Sequence, residues 1–219
     1  MMPAQPLSPA GFVRASCRLG AVPAVAEIRL YLGGDLLELW QRTDDVIGAG
    51  QQPPFWAFAW PGGQALARYV LDNAGLVAGR TVLDLGSGSG LVAIAAAKAG
   101  AAAVLASEVD PLAVAAIGLN ARANGVSAPA VLGDILDGDA EDAQVVLAGD
   151  VWYAEPLASR VLGFIERARA RGAAVLVGDV GRALLPRDRF RVLTARDIPV
   201  LAGLEDCDVK RTMVWTPAW

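Results

Sequence analysis

No histidine occurs in the 219 residues, which excludes imidazole-based zinc sites, histidine general bases and histidine-centred nucleophilic triads. Cysteine is nearly as scarce. Cys17 and Cys207 lie far apart and form no CxxC pair, so free thiols in a reducing compartment are expected. Positive charge is also short, with 19 Lys and Arg against 23 Asp and Glu, a net charge of −4 and a pI near 4.9. That balance argues against a dedicated binder of nucleic acid or anionic membrane, and it leaves a basic protein partner compatible. No run of about eighteen apolar residues is free of charge, glycine or proline, so no membrane span is expected. The first residues lack the basic start and apolar stretch of a secretory signal. Arg14 and Arg18 alone make a poor mitochondrial presequence, and cytoplasm is the expected location.

What is present points to a globular chain: 54% hydrophobic and 19% charged residues. The length fits one domain with a modest extension and a full core. Residues Met1 to Gly11 read as a loose lead-in. Glu27–Leu32 alternates as a half-buried strand does, and Leu36 to Trp40 fits either a short helix or a second extended piece. The aromatic run Phe55-Trp56-Ala57-Phe58-Ala59-Trp60 lies between prolines and glycines, so a helix is not expected there. It is either a hydrophobic loop closing the core or a lid whose aromatic faces line a ligand site. A helix follows over Gln64–Asn73.

From Thr81 onward strands and helices alternate. Strands are expected at Thr81–Leu85, Ala103–Glu108, Ala130–Leu132, Val145–Gly149 and Ala173–Gly178. Helices are expected at Leu91–Ala99, from Asp110-Pro111 to Asn124, and from Pro156 to Arg171. The unbroken apolar strands predict a doubly wound α/β domain with a mostly parallel sheet covered on both faces. Arg189–Ala195 and Lys210–Thr216 read as closing strands, the latter alternating, edge-like and antiparallel.

The chemistry centres on Val82-Leu83-Asp84-Leu85-Gly86-Ser87-Gly88-Ser89-Gly90. A strand, a glycine turn and a helix start are the element that cradles adenine-containing cofactors, because absent side chains let backbone approach the ligand. A nicotinamide fingerprint would need glycine at position 91, where Leu91 stands. About twenty residues on, the second strand ends at Glu108, where a carboxylate can accept from both ribose hydroxyls. Asp134, after the third strand, is by residue type and place a turn or helix-capping aspartate. Asp84, inside a strand, needs local partners if buried.

The G-x-G-x-G turn resembles the first motif of class I methyltransferases, which implies S-adenosylmethionine as cofactor and a Rossmann-like seven-stranded sheet with an antiparallel closing strand. On that resemblance Asp84 orders the glycine loop and reaches toward the cofactor's amino-acid part, and only the resemblance implies an adenine-amino contact at Asp134. Gly149-Asp150-Val151-Trp152-Tyr153 ends the fourth strand, at the position that the resemblance implies faces the transferred methyl group. No Asn/Asp-Pro-Pro-Tyr occurs there. Asp150-x-x-Tyr153 is similar to the family 16 protein methyltransferases.

Within that set Glu27–Leu30, Trp56–Tyr69, Gly178–Arg182 and Thr212–Trp215 resemble the electron transfer flavoprotein beta-subunit lysine methyltransferases. The likeness runs from about Glu27 to the C-terminus. It implies Trp60, Asp84, Gly86, Gly88, Gly90, Glu108, Asp134 and Gly149 as cofactor-binding residues, with Asp150 and Tyr153 catalytic at a lysine channel and no metal. The structural alternatives are a loop cap for Asp150 and core packing for Tyr153. Glu108 departs from the aspartate often found in that family, and the short N-terminus suggests a bacterial relative.

The implied partner is a protein substrate, the flavoprotein's beta subunit, with no nucleic acid, no membrane and a monomeric state. A translation-protein methyltransferase, a small-molecule amine methyltransferase and a non-catalytic nucleotide-binding module are the alternatives. Residues 1–63 are expected as an N-terminal extension with the aromatic lid, and residues 64–219 as the methyltransferase domain.

Overall fold

Strand β3 (Thr81–Leu85) is buried from Val82 to Leu85, as an apolar run covered on both faces should be. The computed structural model in which it lies describes residues 7–140, 142–200 and 207–219. Ahead of it come α1 (Pro9–Ser16), β1 (Arg18–Val22), β2 (Val25–Leu32), α2 (Leu36–Ile47) and α3 (Pro61–Asp72). After it come α4 (Leu91–Lys98), β4 (Ala103–Glu108), α5 (Pro111–Ala123), β5 (Ala130–Leu132) and β6 (Val145–Gly149). The chain closes with α6 (Leu157–Ala170), β7 (Ala174–Asp179), β8 (Phe190–Pro199) and β9 (Val209–Pro217).

The main sheet has seven strands in the order β5-β4-β3-β6-β7-β9-β8, with β5, β4, β3, β6 and β7 mutually parallel. Strand β9 runs antiparallel to both of its neighbours. Val82, Val104, Val145, Leu147 and Val214 face a core shared with α3 and α4. Leu83, Val146, Val175, Val177 and Trp215 face the other way, onto α6. The β1–β2 hairpin packs outside the first layer through Val22, Val25, Ile28 and Leu30. A third cluster joins Phe12 and Val13 of α1, Trp56 and Phe58 to Leu112 and Ala116 of α5.

Several expectations need correction. The lead-in ends earlier than expected, because Pro9–Ser16 is a helix whose N-cap Ser8 accepts from the Gly11 N–H. Of the two readings open for Leu36 to Trp40, the helix holds: these residues open α2, capped by Asp35 accepting from the Glu38 N–H at 2.9 Å. In the aromatic run, Phe55–Ala57 forms one 3₁₀ turn. Helix α3 begins at Pro61 instead of Gln64, since proline suits a first helical position. Lys210–Thr216 is not an edge: β9 is inserted between β7 and β8, and β8 forms the edge. Cys17 and Cys207 are free thiols, as expected. Among the described residues no helix is long and apolar enough to cross a membrane.

The first turn of α3 rests directly on backbone at the ends of β6 and β7. A Cβ on Gly178 would lie 2.8 Å from the Gly62 carbonyl carbon and 2.9 Å from the Leu66 Cβ. One on Gly149 would lie 2.9 Å from the Gly63 Cα. These glycines serve close approach, not unusual dihedrals. Gly178→Ala is therefore expected to destabilise the fold by about 3 kcal/mol, the upper part of the overpacking range. Gly75→Ala, at a site with nothing within 4 Å, should change stability by no more than ~0.5 kcal/mol. Urea unfolding of the two variants checks the contrast.

Candidate active site

The strand order reverses between β3 and β6, and a ligand crevice is expected outside their carboxyl ends. A cavity of about 450 Å³ opens there, a size suited to a small-molecule ligand. Its lining includes Trp60, Gly86, Glu108, Asp134, Asp150 and Tyr153, drawn from five different segments.

The glycine turn forms the floor. Gly86 and Gly88 line the cavity with φ of 62° and 54°, a region that favours glycine. Gly90 also has positive φ, 83°, but it N-caps α4 and packs on Ile117 away from the cavity lining. Asp84 lies behind the turn, fully buried. Its Oδ2 accepts from the Ser87 hydroxyl and from the Ala93 N–H at 2.9 Å. Burial raises its carboxyl to about 7 against the lowering effect of those two bonds. It braces the loop and does not line the cavity. Buried Asn120, on α5, ties the same loop to β2: it donates to the Ser89 carbonyl and accepts from the Tyr31 N–H.

Glu108 holds the turn from the front. Its Oε1 accepts from the Gly88 N–H at 2.7 Å and its Oε2 from the Val109 N–H at 2.8 Å. A carboxylate has about four acceptor sites, so room remains for a hydroxyl donor beside the backbone N–H groups of Gly88, Val109 and Asp110. Burial raises the Glu108 carboxyl, and the backbone N–H groups oppose the shift.

Asp134 sits on the cavity wall with Oδ1 accepting from the Leu136 N–H and Oδ2 paired to Arg160 at 2.5 Å. Its carboxyl is held low by Arg160. Gly149 lines the cavity beneath α3. Trp60 is the residue before α3, fixed by its indole N–H donating to the Phe55 carbonyl at 2.9 Å. Phe55 stands edge-on to both Trp60 and Tyr153, each at 5.6 Å between ring centres. Tyr153 is 53% exposed at the rim, and burial of its hydroxyl end with the Glu108 charge raises its phenol.

Asp150 is the most constrained of the group. It has φ of 56°, its N–H donates to the Gly178 carbonyl, and its side chain is 9% exposed. Oδ2 accepts from the Gly63 N–H at 2.7 Å and Oδ1 is paired with Arg182 Nη1 at 2.6 Å. Burial raises its carboxyl to about 6, with the Arg182 charge pulling the other way.

Sequence reasoning placed no role on Arg182 or Asn120. Arg182 is 32 positions from Asp150, and no spacing rule connects the ends of β6 and β7. Phe55 carried a signal, as part of an aromatic run between prolines.

A parallel α/β sheet with an inserted antiparallel strand, a glycine turn after its first parallel strand and an acidic end on the next is the class I methyltransferase fold. In line with this, magnesium protoporphyrin IX methyltransferase from Synechocystis superposes with a TM-score of 0.51 at 15% identity, over 71% of this chain and 78% of that one. The sequence pattern of the ribosomal protein L11 methyltransferase (PrmA) family matches residues 64–178. The electron transfer flavoprotein beta subunit lysine methyltransferase of Xenopus laevis is 37% identical over 80% of this chain and 71% of its own length. Its rat counterpart is 43% identical over 71% of this chain and 61% of its own. The chain belongs to this methyltransferase family, and it spans about three fifths of the length of the rat relative.

The raised Asp84 carboxyl has a consequence for stability. A group at about 7 in the folded chain and 3.8 in the unfolded one holds its proton longer when folded. Its contribution is therefore full below about pH 4 and lost as pH rises toward 7, by about 4 kcal/mol at ~1.36 kcal/mol per unit. Asp150 adds a smaller decline of the same sign. Denaturant unfolding from pH 4.5 to 7.5 should show wild-type stability falling, and Asp84→Asn should flatten part of that fall.

Proposed function

We propose that the chain is an S-adenosylmethionine-dependent protein-lysine N-methyltransferase acting on the electron transfer flavoprotein beta subunit. One observation carries the reading: a positive-φ glycine turn, the strand-end Glu108 and the Asp150–Tyr153 segment converge on one cavity. The site fits the cofactor. Gly86 and Gly88 leave a floor without side chains, Glu108 presents its carboxylate to the ribose hydroxyls, and Trp60 offers an aromatic wall beside the methionine part. Asp84 and Gly90 act from behind by holding the turn. Gly149 leaves space under α3, and Asp134 meets the adenine end. When bound, the cofactor supplies an electrophilic methyl carbon on a sulfonium.

The protein's task is alignment and exclusion of water. A lysine amine has a free pKa of ~10.4, so holding it neutral near ~pH 7.5 costs about 4 kcal/mol. Desolvation between Phe55, Trp60 and Tyr153 lowers that cost. Asp150 docks and orients the amine. Both of its oxygens are already bonded, to the Gly63 N–H and to Arg182, and the proton leaves to water. Residues 1–63 serve as an N-terminal extension carrying the aromatic lid of the 64–219 domain. We place the enzyme in the cytoplasm as a monomer, without nucleic-acid or membrane partners. Ribosomal protein L11 is the second substrate to test, because the matching family pattern covers residues 64–178.

Labelled-methyl transfer to purified flavoprotein, ribosomal protein L11 and free amines, compared side by side, tests the substrate. Transfer to neither protein would overturn the reading. Glu108→Ala is expected to weaken S-adenosylmethionine binding by about 1–3 kcal/mol, read by calorimetric titration. Asp150→Asn keeps one acceptor where two bonds are made. It should lower methyl transfer at least ~100-fold, or about 2.7 kcal/mol of barrier, while cofactor affinity stays within ~threefold. Near-normal turnover would remove Asp150 from the mechanism.

A further inference from the structure

Arg182 comes from the turn after β7 and reaches into the cavity wall. Its Nη1 lies 2.6 Å from Asp150 Oδ1 and 3.3 Å from Asp179 Oδ2, with the side chain 20% exposed. Asp179 has no exposed side-chain surface. Its Oδ1 accepts from the backbone N–H groups of Gly181 at 2.6 Å and Arg182 at 2.7 Å, which shapes the turn that presents the guanidinium. Asp150 is held on its other oxygen by the Gly63 N–H. One carboxylate is thus gripped from the α3 end by a helix-start amide and from the β7 end by an arginine.

We propose that Arg182 is a positioning residue: it locks the Asp150 carboxylate against the first turn of α3, so that an incoming lysine amine meets it in a single orientation. The inference rests on the functional reading above. A carboxylate held on both oxygens docks an amine through its remaining lone pairs without rotating to follow it. In the transfer, the neutral amine's lone pair forms the new N–C bond to the methyl carbon. The C–S electron pair stays on sulfur, and the proton of the methylated ammonium leaves to water. Arg182 touches none of the reacting atoms. Its effect passes through Asp150.

The test uses the full chain with Arg182→Gln, Arg182→Lys, Asp150→Asn and the double variant Asp150→Asn/Arg182→Gln. Binding of S-adenosylhomocysteine is read by calorimetry, and kcat and KM with the methyl-accepting protein. Arg182→Gln should lower kcat at least ~30-fold and leave S-adenosylhomocysteine affinity within ~threefold. Arg182→Lys, which keeps a cation, should recover at least ~fivefold of that loss. The double variant should be no slower than Asp150→Asn alone, because a residue acting through another adds nothing once that one is gone.

Multiplicative losses in the double variant, or Arg182→Gln with more than half of wild-type kcat, would overturn the inference alone. A parallel loss of S-adenosylhomocysteine binding would also overturn it, by showing that Arg182 only holds the site together. If Arg182→Gln does not fold, Arg182→Lys decides: more than half of wild-type kcat supports the role of the cation, and loss of binding overturns it. Wild-type protein that methylates no amine overturns the functional reading itself.

Discussion

Backbone meets backbone where the first turn of α3 rests on the ends of β6 and β7, and the site depends on that approach. Gly62, Gly63, Gly149 and Gly178 have no side chains, so helix and sheet come close enough for the Gly63 N–H to reach Asp150 across the gap. The segment just before α3 is carried along. Trp60 ends up against the cavity, and Phe55 spans from it to Tyr153. A side chain at Gly62, Gly149 or Gly178 would lift the helix away. The aromatic wall and the lock on Asp150 would go together.

The second constraint is the management of buried negative charge. Asp84, Asp150 and Asp179 are all removed from water, and a buried carboxylate is costly unless its oxygens are bonded. Each is answered largely by N–H groups of nearby turns and helix starts: Ala93 for Asp84, Gly63 for Asp150, Gly181 and Arg182 for Asp179. Such donors are abundant at the carboxyl end of a parallel sheet, because every helix begins there. Glu108 and Asp84 use them from opposite sides of the glycine turn. The loop is held before any ligand arrives, and the reorganisation needed on binding is small.

The parallel strands from β3 to β7 were legible because strands covered on both faces read as unbroken apolar runs between helices. The ends of the chain were less so. Helix α1 was hidden by Pro9, which turns out to be its first residue. Helix α2 rests on an Asp35 cap, and its buried residues are Leu39 and Thr43 alone. The place of β9 inside the sheet was misread from its alternation, since β9 pairs with β7 and β8 through contacts distant in sequence. In the cavity, Glu108 was legible from its distance to the glycine turn, a spacing set within one strand–helix–strand unit. Arg182 was not, because its partner Asp150 ends a different strand.

The sequence by itself determined the alternation of strands and helices, the positive-φ glycine turn and the carboxylate that follows it. These are local properties: apolar periodicity and dihedral freedom act over a few residues, and a strand–turn–helix unit sets its own spacing. Tertiary structure alone decided which way α3 faces, that β9 lies inside the sheet, and that Asp150 is shared between Gly63 and Arg182. Those outcomes depend on close backbone approach and on hydrogen bonds between distant segments, which form only once the sheet has brought its strand ends to one side.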